Sequence, residues 1–459
     1  MLKTYNSLSK KKETLKTRSK NLIQLFVCGP TVYDYSHLGH ARTYIIFDII
    51  VRYLKQAGYD VFYLQNITDI DDKIIQRAKE KRISPKELAR QFEKEYKNNM
   101  KELQVCSVTK YAKATEHIKE IISQVQRLEK KGFAYQIEDG IYYNIKKFKN
   151  YGKLSGRTSL QAEDAVSRID DSKSKQNKGD FVLWKFSKED EPSWPSPWGK
   201  GRPGWHIEDT AITEKFFGTQ YDIHGGGRDL IFPHHEAEIA QNEAISGKKP
   251  MVKYWLHTGF LTVRGNKMSK SLGNFVTIQD FLKNHSARTL RFLIAKNHYR
   301  SQFDYDDSSI IQAERELNRI DEFIKRINEF KAQIKPAVLK IPEKEFDQAM
   351  ADDFNTPRAV AAIFEMIKNA HSLMDQNLLT KKDKEAALSF LKKADRIFNV
   401  IFQKSKNIIP KEISILAKQR EKARQEKNWD KADEIRKKIN ELGWQIEDTS
   451  SGFKIKKLG

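Results

Sequence analysis

The first clear hydrophobic pattern is a short apolar run, Leu22 to Val27, ending at Gly29-Pro30. A run of that length closed by glycine and proline predicts a buried strand leading into a loop. Apolar residues then recur at Ile46, Ile49, Ile50, Tyr53 and Leu54, which predicts a helix stopping near Gly58. Val61 to Ile67 predicts a second strand. Strand, helix and strand form a βαβ unit, so the two strands should be parallel with a right-handed crossover. Ligands of such sheets bind at the carboxyl ends of the strands. Those ends are Cys28-Gly29 and Thr68-Asp69.

Ser84-Pro85-Lys86-Glu87 reads as a capping box with proline at the first helical position, opening a charged helix to about Leu103. Residues from about 104 to 203 read as an α/β insertion, a helix followed by strands near Ile141 to Ile145. The polar run Asp170 to Asp180 predicts a mobile loop, and the Pro/Trp-rich segment Pro192 to Trp205 follows. The sheet resumes near Tyr221 to His224 and Trp255 to Val263. After about Ser308 glycine nearly vanishes and charged helical periodicity runs to Lys404. A break at Asn407 to Pro410 precedes two more helices. No fixed-period repeat marks a solenoid. The expected architecture is α/β. A Rossmann-like parallel-sheet domain (1–308) carries the insertion and a loop region at 255–300. An α-helical bundle (309–405) and a small C-terminal domain (406–459) follow.

Composition narrows the setting. A chain of 459 residues is long enough for roughly three domains at about 150 residues each. Its two cysteines exclude a disulfide scaffold and fit a reducing, cytoplasmic compartment. The excess of 83 Lys+Arg over 61 Asp+Glu, a formal +22, points to a polyanionic partner. Nucleic acid leads, an anionic membrane surface trails, and a merely basic surface is the plain alternative. The most apolar stretch, Tyr44 to Val51, contains Asp48 and falls well short of the ~20 residues a membrane span needs. The basic residues Lys10, Lys11, Lys12 and Arg18 accompany no apolar run, so no secretory signal is expected there.

Two short motifs carry chemistry. His37-Leu38-Gly39-His40 lies between the first strand and its helix. A helix N-terminus offers free N–H groups and a positive dipole end to a phosphate, and Gly39 permits close approach. Alone, the motif could be two incidental histidines. Lys267-Met268-Ser269-Lys270-Ser271, between Gly265 and Gly273, is a loop with two lysines, each a point-charge phosphate binder. Alone, it could be a solvated basic loop. Together the two resemble the signature pair of class I aminoacyl-tRNA synthetases, the second motif at every letter.

Longer runs narrow the resemblance. FVCGPTVYDYSHLGHAR, NITDIDDKII, GWHIED, YDIHGGGRDLIFPHHEAEIAQ and KMSKSLGN are similar to the cysteinyl-tRNA synthetase family. So are Asp352 to Pro357, at the start of that family's helical domain, and the stretch Arg420 to Lys456. The likeness spans essentially the whole chain. It implies a catalytic domain at 1–308, a tRNA-binding helical bundle and a C-terminal anticodon-recognition module.

Cysteine and serine differ by one atom, and an apolar pocket separates near-isosteres by only ~1–3 kcal/mol. A metal that prefers a thiolate discriminates better. The resemblance implies one zinc per chain, bound in the family by two cysteines, a histidine and a glutamate. Carried over, the ligands are Cys28, His234, Glu238 and position 209, where this chain has Asp209 instead of cysteine. His234 and Glu238, four apart, share a helix face, and His235 and Glu236 should point elsewhere. Three readings of position 209 stand. Asp209 ligates through oxygen at ~2.0–2.2 Å rather than sulfur at ~2.3 Å. Alternatively Glu208 or His206 replaces it, or there is no zinc. Read as a strand, the segment puts Trp205, Ile207 and Asp209 on one side and His206 and Glu208 on the other, which favours Asp209.

Gly225-Gly226-Gly227 follows an expected strand end at His224 and lacks the Walker A ending and the dinucleotide fingerprint. It could be a bare turn. The resemblance implies that Gly226 and Gly227 help hold adenosine, with Asp229 placed for the ribose or the substrate amine. Gly29, Thr68 and Trp205 are implied near the amino acid. The acidic run Asp69 to Asp72 could hold magnesium but more often caps the next helix. The reaction implied is adenylate formation from L-cysteine and ATP, with magnesium, then transfer to cysteine tRNA. His37, His40, Lys267 and Lys270 would stabilise the phosphates, with Gly39 and Ser269 beside them. Arg420, Lys422, Arg424, Lys427, Arg436, Lys437 and Lys438 form a basic helical pair with Trp429 and Trp444, the tryptophans expected mostly in core. A monomer with no membrane partner is expected. Two rivals remain: a ligase joining cysteine to a small amine, and a non-catalytic RNA-binding paralogue.

Overall fold

The computed structural model describes residues 1–157, 172–268, 273–336, 338–403, 411–449 and 452–457. It divides into two compact units. One comprises Met1–Met268, Ala295–Asp304 and Pro342–Ile363, and the other Ser269–Ile294, Tyr305–Ile341 and Phe364–Gly459.

The first unit is built on a five-stranded sheet ordered Val252–Thr258, Tyr221–Gly227, Leu22–Val27, Asp60–Ile67, Lys110–Lys113. Every pairing is parallel. Ile23, Leu25, Phe26 and Val27 are fully buried, as expected for a central strand covered on both faces. Helix Leu38–Gln56 connects the Leu22–Val27 and Asp60–Ile67 strands and buries Ile45, Phe47, Ile49 and Ile50. Val27 pairs with Gln65 on one side and Gly225 on the other, so Cys28, Asn66 and Gly226 emerge together at one sheet edge.

The insertion is a helix, Ile118–Lys130, with a four-stranded antiparallel sheet of Ala134–Ile137, Gly140–Tyr143, Phe181–Phe186 and Gly201–Pro203. It begins later than residue 104, because Lys110–Lys113 pairs with the parallel sheet. Of the expected mobile loop, Asp170 and Asp171 lie outside the described residues. The remainder is pinned: buried Asp180 accepts from Ile145 N, Tyr135 OH and Asn177 N. The basic N-terminal stretch is also ordered, Lys3–Asn6 pairing antiparallel with Lys11–Thr14.

The expected boundary at residue 308 is crossed. Pro342–Ile363 groups with the first unit. Fully buried Asp353 explains this, accepting from Tyr5 N, Tyr299 OH and Arg300 Nε.

In the second unit, helices Asp307–Glu329 and Lys381–Phe398 supply apolar faces. Helices Lys411–Gln425 and Trp429–Glu441 lead to an unforeseen hairpin, Trp444–Thr449 with Gly452–Lys457. Their core is Ile413, Leu416, Ala417, Ile435, Ile439, Trp444 and Ile446. The tryptophans separate: Trp444 is 6% exposed and Trp429 57%. No helix among the described residues is long and apolar enough to cross a membrane.

Candidate active site and metal centre

Cys28 follows the first central strand, and its N–H donates to Gly225 O at 3.1 Å. Gly29 owes its identity to the neighbouring strand. A Cβ there would lie 1.7 Å from Asn66 O, a clash no side chain survives. Asn66 also reaches Thr68 Oγ1 and Glu208 Oε1, each at 3.3 Å, and the Thr68 hydroxyl donates to Glu208.

Residues 207–209 are not a strand. Ile207–Phe217 is a helix, so the alternation expected of that segment does not apply. About 100° separates neighbours on a helix, and Glu208 and Asp209 both turn inward. Each is 1% exposed. Glu208 is engaged by Thr68, while Asp209 Oδ2 lies 3.0 Å from His234 Nε2. His206 Nδ1 lies 2.9 Å from His234 Nδ1, on the ring edge away from Asp209.

His234 lies in the short segment Ile231–His235, kinked at the extended Phe232, just before helix Glu236–Ser246. Its Nε2 is 2.9 Å from Glu238 Oε1, so the pair shares a face. The expectation for His235 fails, because it stands three residues before Glu238 and i, i+3 positions share a helix face just as i, i+4 positions do. Its Nε2 is 3.2 Å from Cys28 Sγ. Glu236 does turn away, accepting from Leu154 N and Ser155 N. Trp205, 38% exposed, stacks on His234 with centroids 4.4 Å apart.

One ligand atom each from Cys28, Asp209, His234 and Glu238 lies within 4.8 Å of the others, all buried. A second group, Cys28, His224, His235 and Glu238, meets the same limit. Burial, then Glu238 and Asp209, push the Cys28 thiol well above its ordinary range. Burial likewise pushes Glu238 up to about 8, against the pull of His234. Burial opposes a charged His234, yet Glu238 and Asp209 outweigh it and raise the imidazole to about 10. Three acidic groups facing one imidazole leave lone pairs unused. Asp209 Oδ1 and Glu238 Oε2 have no hydrogen-bond partner among the described residues. Buried acceptors of that kind are costly unless a cation fills the space between them. The donors present therefore fit a divalent ion.

The His37–His40 motif is equally well defined. His37 is the N-cap of helix Leu38–Gln56, its Nδ1 accepting from Gly39 N at 3.0 Å. His37 N donates to His40 Nδ1 at 3.3 Å. With both Nδ1 atoms accepting, each Nε2 carries the hydrogen. Burial, then His37, hold His40 well below the ordinary imidazole range, so it is a neutral donor. The two rings stack at 3.9 Å. A Cβ on Gly39 would sit 2.8 Å from His37 Cε1 and 3.8 Å from Met268 Cε, so Met268 borders this motif. Ser269 and Lys270 lie outside the described residues, as does the side chain of Lys267. The Lys267 backbone pairs with Thr262.

Gly225, Gly226 and Gly227 are not a loop after a strand ending at His224. They are the last residues of Tyr221–Gly227. A Cβ on Gly225 would lie 2.2 Å from Phe47 Cζ, and one on Gly226 2.9 Å from His235 Cε1. These two glycines seat rings. A Cβ on Gly227 would meet Asp229 Oδ1 at 2.3 Å, so that glycine admits the exposed carboxylate. In the acidic run, Asp71 caps helix Asp72–Lys81 through Lys73 N and Asp69 accepts from Thr115 N, the capping alternative.

His224 and His235 were not singled out as ligands from sequence, and Glu208 was weighed there only as a ligand alternative to Asp209, not as the partner of Thr68. His224 alone carried a signal, being a polar residue near a strand's carboxyl end. In the C-terminal module Arg420 is 2% exposed and bonds Asp448 twice, at 2.8 and 3.0 Å. It is therefore not a phosphate contact. Lys422, Lys427, Arg436, Lys437 and Lys438 are exposed, and Arg424 lies 5.9 Å from the Trp429 ring.

Comparison with known proteins divides the chain into three consecutive segments. Residues 14–315 match the family model of the tRNA synthetases class I (C) catalytic domain. Residues 345–403 match the DALR domain and 409–453 the cysteinyl-tRNA ligase anticodon binding domain. A cysteine--tRNA ligase of Methanococcus maripaludis is 46% identical over 484 residues, covering 100% of each chain. One from Thermococcus gammatolerans is 44% identical, covering 100% of this chain and 99% of its own. Among solved structures, Mycobacterium tuberculosis methionyl-tRNA synthetase in complex with methionyl-adenylate is similar, with a TM-score of 0.59 and 15% identity. That likeness covers 83% of this chain and 88% of the other, and concerns the fold alone.

Proposed function

The chain belongs to the cysteine--tRNA ligase family of class I aminoacyl-tRNA synthetases, and from that premise we propose how its own residues divide the reaction. It is an aminoacyl-tRNA ligase acting on cysteine, ATP and cysteine tRNA. The cysteine carboxylate attacks the α-phosphorus of ATP, forming cysteinyl-adenylate and releasing pyrophosphate. A 3′-terminal ribose hydroxyl of the tRNA then attacks the adenylate carbonyl and releases AMP. No side-chain nucleophile is needed, so catalysis is positioning plus stabilisation of phosphate charge.

The His37 and His40 Nε2–H groups donate to the phosphates beside the helix N-terminus and Gly39. The family resemblance assigns Lys267, Ser269 and Lys270 to the same phosphates, Lys270 most importantly, with magnesium accompanying ATP. Gly226, Gly227 and Asp229 hold adenosine. Gly29 backbone, Thr68 and Trp205 border the amino acid, with Glu208 fixing the Thr68 hydroxyl. Cys28, Asp209, His234 and Glu238 would hold the zinc. When bound, the ion supplies a thiophilic Lewis acid that prefers the substrate's sulfur to the oxygen of serine. Asp209 keeps the count of anionic donors that a cysteine there would give.

The observation carrying this reading is the buried Cys28/Asp209/His234/Glu238 group, in which Asp209 Oδ1 has no hydrogen-bond partner among the described residues. Glu208 and His206 are engaged elsewhere, which favours Asp209 over them. X-ray absorption of zinc-loaded Asp209→Ala should show a ligand set different from the parent's, with an oxygen donor lost. A zinc spectrum identical to the parent's would contradict the ligand role. The anticodon-binding match disfavours a small-amine ligase, and the ordered His37–His40 pair disfavours an inactive paralogue. A cytoplasmic monomer completes the proposal.

A further inference from the structure

Beside the proposed zinc ligands stands a second donor set. Cys28 Sγ lies 3.3 Å from His224 Nε2 and 3.2 Å from His235 Nε2. His224 Nε2 is 3.3 Å from Glu238 Oε2, the carboxylate oxygen turned away from His234. Donors around a tetrahedral zinc stand about 3.3–3.7 Å apart, given bond lengths of ~2.0–2.3 Å. Glu238 thus straddles two sets, Oε1 toward His234 and Oε2 toward His224.

The outer nitrogens of the two rings are occupied. His224 Nδ1 is 2.7 Å from Tyr221 OH. His235 Nδ1 is 2.8 Å from His257 Nε2, and His257 Nδ1 is 2.7 Å from Ser7 Oγ. Partners on the far nitrogen fix a ring's orientation and aim the other nitrogen inward, as around metal-ligating histidines. Both rings are fully buried, and Trp255 stacks on His224 at 4.3 Å. Gly226 belongs to the same arrangement, since any side chain there would strike His235.

We propose that Cys28, His224, His235 and Glu238 form a second seat for a zinc-class divalent ion, overlapping the Asp209/His234 seat and filled in alternation with it. The seats share Cys28 and Glu238. The three acids of the combined group balance one dication, and a second would leave uncompensated buried positive charge. Asp209 sharpens the competition. It makes the first seat richer in oxygen, whereas the second offers two imidazoles and a thiolate, donors that zinc favours.

The test removes the first seat's private ligands with near-isosteric changes, Asp209→Asn with His234→Gln, in the full chain loaded with zinc alone. Metal content and X-ray absorption are then read. The expected result is about one zinc per chain, bound by one sulfur and two imidazoles. Adding His224→Gln and His235→Gln should lower zinc at least tenfold. A folded double variant without zinc would overturn the second seat and leave the first standing, because the parent would still bind. If the double variant does not fold, His234→Gln alone serves: any zinc it binds must show two imidazoles. One imidazole or none there overturns the proposal.

Discussion

Cys28, Asp209, His234 and Glu238 are 5% exposed or less, and three of the four are acids. In the C-terminal module Lys422, Lys427, Arg436, Lys437 and Lys438 are all exposed, and the buried cation Arg420 is neutralised by Asp448. The net +22 therefore hides a local reversal. Buried acids act as a set, because each lacks water and depends on the others or on a cation. Exposed cations act singly, each screened and replaceable. Changes at the catalytic end should be steep and specific to chemistry, and changes in the C-terminal module shallow and specific to tRNA.

The steepest effects should come from the phosphate donors. His40→Ala or Lys270→Ala should slow pyrophosphate exchange by about 10²–10³-fold, the usual cost of one preorganised donor. Cysteine KM should change far less. Near-normal exchange in Lys270→Ala would refute its assignment. Trp429→Ala should sharpen the contrast from the other side. Loss of one base-stacking ring costs ~1–3 kcal/mol, so the KM for tRNA should rise about 5–100-fold. Pyrophosphate exchange should stay at the parent rate. Equal loss in both assays would break the division.

The smallest effect is electrostatic. Arg420, with Arg424, holds Asp448 down to about 2 from an ordinary 3.8. A depressed carboxyl stabilises above its unfolded value and loses that contribution as pH falls through the folded one. The melting advantage of the parent over Asp448→Asn should be full above about pH 4 and fade toward pH 2. Because the pair is part-exposed, the shift should be modest. An advantage that grows on acidification would contradict the pairing.

Leu22–Val27 was legible to the residue, because a strand buried on both faces is an unbroken apolar run between polar signals. Helix Leu38–Gln56 was legible from its spacing and from His37 at its start. Cys28, His234 and Glu238 could be grouped only through resemblance, since their separation in the chain carries no geometry. Helix Ile207–Phe217 was misjudged because its buried face holds Glu208, Asp209, Thr210 and Thr213, polar residues that obscure the helical pattern. His235 was misplaced because positions three and four before one helix residue both neighbour it, so His234 and His235 alike lie beside Glu238. Gly225 and Gly226 read as a loop because nothing local reveals that Phe47 and His235 need their missing side chains. The Trp444–Lys457 hairpin was lost among charged residues whose alternation is short.

The central claim is that a buried centre using Asp209 in place of cysteine still selects sulfur through a metal. Its most direct test is aminoacylation of cysteine tRNA with cysteine against serine, with zinc measured on the same protein before and after chelation. The account predicts zinc in the active protein, strong preference for cysteine, and loss of that preference in step with zinc. Undiminished preference for cysteine in zinc-free protein would contradict it.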